Sequence, residues 1–145
     1  MRTLLAAMII TLVPAAGSAQ DRIVDHTRAR RYSGEEITVE GPVARVAPGG
    51  AGSLWISLGK PHPSATLVIV VAAEFVPSLG TPRSYEGAII QVRGRVFTGE
   101  AGGTTTDATV TPNLPGGNPR TAFIVLQDLS RFRIITPPDS VPPAR

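Results

Sequence analysis

The chain has 145 residues with a formal net charge of +3, no cysteine, 15 glycines and 14 prolines. Without cysteine it has neither a disulfide nor the acylated cysteine of a lipoprotein, and with no long amphipathic stretch the glycine and proline content argues against a helical bundle. Lys60 is the single lysine, so the basic character comes from arginines that hardly ever titrate, and the electrostatic footprint is weak.

Residues 1–19, MRTLLAAMIITLVPAAGSA, carry Arg2, an apolar run from Leu4 to Val13, and small residues Gly17 and Ala19 placed for cleavage before Gln20. This is the pattern of a secretory signal peptide, and its apolar run is short of the roughly 20 residues that span a bilayer. Export to the periplasm or the medium is expected, with no transmembrane segment after cleavage. With Arg2 in the leader, thirteen basic residues remain against eleven acidic ones, a mature net charge of +2. The mature part is large enough for one domain with its own core.

Residues 20–31 form a basic segment, expected to be a short turn of helix or an extended lead-in to the first strand. From Glu36 to Val46, Ile37, Val39, Gly41 and Val43 alternate with Thr38 and Glu40, the period of a half-buried strand. After the loop 47–52, a second strand from Ser53 to Leu58 sends Leu54, Ile56 and Leu58 one way and Trp55 and Ser57 the other. The third, ATLVIVVA at 65–72, is nearly all apolar, which predicts burial on both faces. Pro77, Gly80 and Pro82 leave room for at most one helical turn before the fourth strand. That strand, Ala88 to Phe97, buries Ile90, Val92, Gly94 and Val96 and turns Gln91, Arg93, Arg95 and Phe97 outward. A long Gly-, Thr- and Pro-rich connection, 98–120, leads to a fifth strand at 121–126; FRII at 132–135 extends or closes it, and 136–145 is a proline-rich, mobile tail.

A twelve-residue pattern, Y-x-G-x-x-I-x-V-x-G-x-V, occurs at 32–43 and again at 85–96. The stretch SLWISLG at 53–59 does not recur near 106–112, so the repeat is local rather than a duplication. Glycine inside a strand marks a bend or a close backbone approach, which Gly41 and Gly94 would supply in the first and fourth strands of a closed barrel. Gly34 and Gly87 suit positive φ in the turns that launch those strands, and Tyr32 and Tyr85 are placed to cover the barrel ends.

The pieces GEEITVEGPVARV, LWISLGKPHP, LVIVV, YEGAIIQVRGRV and DLSRFRII, in this order across residues 32–135, resemble the OB-fold. The resemblance is to small exported proteins similar to the nucleic-acid-binding, anticodon-binding type of this barrel. It implies an all-β, five-stranded Greek-key barrel, from which this sequence departs in reducing the usual helix between the third and fourth strands to a proline-broken segment and in lengthening the fourth-to-fifth connection. It also implies a binding face on strands two and three flanked by the first-to-second and fourth-to-fifth loops. Candidate ligand contacts are Trp55 and Phe97 for base stacking, with Arg45, Lys60, Arg93, Arg95 and Arg120 for charge.

The expected function is non-enzymatic binding of single-stranded nucleic acid or an anionic oligosaccharide. The alternative is a protein-interaction or envelope-stress module that meets another envelope protein through the long loop or the basic arm. A nuclease-like hydrolase is a minor alternative, since the eleven acidic residues are scattered. His26 and His62 lack metal-ligand spacing, neither PGGAG nor GEAGG continues into a phosphate-binding loop, and no cofactor or metal is expected.

Overall fold

The computed structural model describes residues 22–98 and 121–138. Its strands are β1 (Ile23–Asp25), β2 (Glu36–Pro48), β3 (Leu54–Leu58), β4 (Leu67–Val71), β5 (Ile89–Thr98), β6 (Ala122–Leu126) and β7 (Phe132–Thr136). They run in the order β1-β2-β3-β4-β6-β5-β7, and a further β2–β5 pairing closes five of them into a barrel. Every barrel pairing is antiparallel except β4 with β6. This is the all-β OB barrel expected from the sequence, with only short 3₁₀ turns beside the strands.

Strand β2 is long because it serves two neighbours. Glu36 to Pro42 pair with β5, while Val43 to Pro48 pair with β3, and the register shifts between Val43 and Arg45. A bulge at that point turns the strand around the barrel corner and resets which side chains face inward. The inward set Ile37, Val39, Val43 and Val46 meets Ile56, Leu58, Ile69, Ile90, Val92, Val96 and Ile124 in one core. Each such side chain contributes about 1.5–3 kcal/mol relative to exposure.

All five residues of β4 are buried, as the unbroken apolar run predicts. Leu67, Ile69 and Val71 enter the barrel core, whereas Val68 and Val70 join Trp55, Ala65 and Phe123 in a second cluster on the outer face.

The two copies of the repeated pattern are β2 and β5 with their launching turns, and they pair with each other. Val39 lies opposite Val92, Ile37 opposite Gly94, and Ile90 opposite Gly41. Gly34 and Gly87 adopt φ of 88° and 86°. The Gly34 amide donates to Val96 O and the Gly87 amide to Val43 O, each closing onto the last valine of the other copy. Tyr32 and Tyr85 pack at the margins of the core.

The interior glycines serve close approach. A Cβ on Gly94 would stand 2.5 Å from Ile124 Cγ2, and one on Gly41 the same distance from His26 Cδ2. The segment 23–32 holds a short strand followed by a 3₁₀ turn, two forms that the sequence offers as alternatives. β1 adds in parallel beside β2, Asp25 caps the turn His26–Tyr32, and His26 and Ala29 are buried. His26 Nδ1 meets Thr66 Oγ1 at 2.5 Å, with its ring wedged against Gly41 and Gly59.

Between β4 and β5 lie two 3₁₀ turns, Val76–Leu79 and Pro82–Tyr85, where Pro77, Gly80 and Pro82 predict at most one. Each proline stands at the start of its turn, where its missing N–H costs no hydrogen bond. β7 pairs with β5 rather than extending β6. β6 covers β5 only over Val96–Thr98, so the edge from Ile89 to Val92 is left open, and β7 fills it.

Candidate functional site

The outward faces of β1, β2, β5 and β7 form one polar surface. Cross-strand pairing sets Ile23 beside Thr38, Thr38 beside Arg93, Glu36 beside Arg95, and Gln91 between Glu40 and Arg133. Ser130 and Arg131 belong to the connection into β7 and approach from the side. Together Ile23, Glu36, Thr38, Gln91, Arg93, Ser130, Arg131 and Arg133 line a groove of about 530 Å³.

Local structure fixes two of its three cations. Arg93 is an outward position of β5, and its Nε donates to Glu36 Oε1 at 3.2 Å. Arg131 lies 95 residues from Glu36 in sequence, yet its Nη1 reaches the same oxygen at 3.1 Å. It arrives there through the 3₁₀ turn Leu129–Arg131, capped by Asp128, whose carboxylate accepts from the Ser130 amide at 2.8 Å and the Ser130 hydroxyl at 2.7 Å. These two bonds, the hydroxyl's first, hold the Asp128 carboxyl below its ordinary value. Arg133 has no ion pair among the described residues, and Gln91 Nε2 donates to Glu40 at 2.6 Å. Among the described residues, a groove lined by three guanidinium groups and a single carboxylate suits an anionic ligand.

The sequence candidates do not all converge on this groove. Arg93 lines it, and Arg95 is an exposed neighbour on the same face of β5. Phe97, the next outward residue, is half-buried and stacks on Phe123 with ring centroids 5.4 Å apart. Trp55 occupies the outward face of β3 as its parity implies, but it is only 6% exposed and presents no open ring face. Its indole meets His62 edge-on at 5.6 Å and lies against Gly49. Arg45 and Lys60 are exposed, Arg45 opposite Ser57 and Lys60 in the turn after β3. Arg120 lies outside the described residues.

Sequence reasoning missed Arg131 and Arg133 as site residues. The available signal was SRFR, which places arginines two apart before and within a short strand. Among the described residues no group of three or more His, Asp or Glu side chains is arranged to hold a metal ion.

No family model and no curated protein sequence matches the chain. Solved structures do. An aspartyl-tRNA synthetase from Leishmania major Friedlin matches with a TM-score of 0.53 and 11% identity, covering 91% of this chain and 24% of that one. An aspartyl-tRNA synthetase from Entamoeba histolytica matches with a TM-score of 0.52 and 11% identity, covering 93% of this chain and 26% of that one. The chain thus spans about a quarter of each synthetase. Likeness at this identity establishes the fold alone: the protein is an OB barrel.

Proposed function

We propose that the protein is a binding module for a single-stranded nucleic acid, held chiefly through its phosphates in the groove between β1, β2, β5 and β7. The observation that carries this reading is the convergence of Arg93, Arg131 and Arg133 on one groove of a barrel whose usual ligand strands, β3 and β4, present a buried apolar cluster instead. Arg95 continues the charge along β5 toward Phe97, the remaining partly open aromatic on that strand. The similar synthetases support the fold and leave the ligand to be argued from this surface.

The test is equilibrium binding of fluorescein-labelled oligothymidylate to residues 20–145, followed by anisotropy at low and high salt. Three phosphate contacts to a single strand predict a log–log salt slope of about −2. An anionic oligosaccharide that binds equally well at matched charge moves the ligand class without moving the site, and no salt-sensitive binding of either polymer removes the reading.

A protein-interaction role has one specific observation in its favour. Ile134 and Ile135 of the outer strand β7 are 47% and 46% exposed, the kind of edge to which another chain adds. In either role the module is taken to act in the periplasm or outside the cell. N-terminal sequencing of the protein recovered there should begin at Gln20.

A further inference from the structure

Among the described residues, Glu36 is the one acidic side chain lining the arginine groove. A single oxygen, Oε1, accepts from both Arg93 and Arg131, while Oε2 has no partner among the described residues. All three side chains are 42–45% exposed, so water reaches them and the pairs bind each other weakly. Two guanidinium groups on one carboxylate oxygen define an anion seat with an easily released occupant. A phosphate carries more charge and more acceptor oxygens than a carboxylate, and it satisfies both guanidinium groups at once.

Resting on the groove reading above, we propose that Glu36 is an internal occupant of the phosphate seat. Its carboxylate holds Arg93 and Arg131 in register when the groove is empty and swings aside when a ligand phosphate takes its place. Glu36 thereby sets how strongly an anion must bind to enter. It is a specificity-determining residue that weak anions fail to displace and polyanions do.

The test compares Glu36→Gln with Glu40→Gln. Glu40 lies on the same face of β2, bonds Gln91 and does not line the groove, so its replacement removes an equal charge nearby without vacating the seat. Both variants and the unmodified protein are titrated with oligothymidylate and with inorganic pyrophosphate, and their thermal midpoints are compared. Removing one opposing charge at contact distance predicts that Glu36→Gln binds both ligands about three- to tenfold more tightly at low salt. Glu40→Gln should show a clearly smaller gain.

Equal gains in the two variants would reduce the effect to net charge and overturn the proposal. Unchanged or weaker binding by a folded Glu36→Gln, with oligothymidylate still held by the unmodified protein, would show Glu36 to be only a tether for Arg131 and would leave the groove reading intact. If the unmodified protein and both variants bind neither ligand, the groove reading itself falls.

Discussion

Val39 and Val92 face each other at the centre of the β2–β5 ribbon, and the repeated sequence pattern is arranged around them as a local twofold. Moving from either valine outward, each isoleucine of one copy meets the interior glycine of the other, and each launching glycine closes on the other copy's last valine. The repeat exists because the same strand, turned end for end, pairs with itself.

The interior glycines should therefore be intolerant of a methyl group for identifiable reasons. Gly94→Ala places a Cβ against Ile124 and should cost about 1–3 kcal/mol by overpacking. Urea denaturation of Gly94→Ala, Ile124→Ala and the double variant should show strong non-additivity, the double losing less than the two singles together. Simple additivity would mean the contact is not the cause.

His26 joins the N-terminal turn to the barrel through Thr66 and the space left by Gly41. His26→Ala should cost about 2–4 kcal/mol from the cavity and the lost hydrogen bond. Gly41→Ala should then become nearly harmless in that background, because its obstacle has gone. A chain starting after residue 32 should be destabilised in the same way, which thermal melts can read directly.

Much of this barrel was legible in the sequence. The alternation in β2 and β5, the two-sided burial of β4 and the positive φ of Gly34 and Gly87 all follow from periodicity and from what glycine permits, whereas the prolines before β5 start two short turns and not one. Alternation gives the face of a strand and not what lies over it, so Trp55 could be placed outward but not known to be buried. Parity is equally silent about distant partners. Nothing local announces that Arg131 will reach Glu36, or that β7 will take the open edge of β5 instead of extending β6.

Trp55 supplies a clean optical check, being the single tryptophan. Buried against His62, Val68, Val70 and Phe123, it should emit at short wavelength and resist quenching by iodide. It should also stay nearly unchanged when oligothymidylate binds the groove, since it does not line that surface. Strong quenching on binding would return the ligand to the β3–β4 face.

Two capping carboxylates shape the acid limb of stability. The Thr27 hydroxyl, and after it the Thr27 amide, holds the Asp25 carboxyl below its ordinary 3.8. The Ser130 hydroxyl and amide act in the same direction on Asp128. A carboxyl whose pKa is lower folded than unfolded contributes stability above the unfolded value and loses it as pH falls through the folded one. Thermal midpoints should therefore decline below about pH 4, and the paired substitution Asp25→Asn with Asp128→Asn should make that decline shallower. An unaltered acid limb in the double variant would contradict the assignment.

The most direct test of the central claim is oligothymidylate affinity at low salt for two matched double substitutions, Arg93→Ala with Arg133→Ala in the groove, and Arg45→Ala with Lys60→Ala beside the β3–β4 face. Each pair removes two positive charges from exposed positions, so a non-specific effect of net charge is shared. The account predicts that the groove pair weakens binding at least tenfold, about 1.4 kcal/mol or more, while the Arg45 and Lys60 pair changes it by less than about threefold. Equal losses, or a larger loss from Arg45 and Lys60, would contradict the placement of the binding site between β1, β2, β5 and β7.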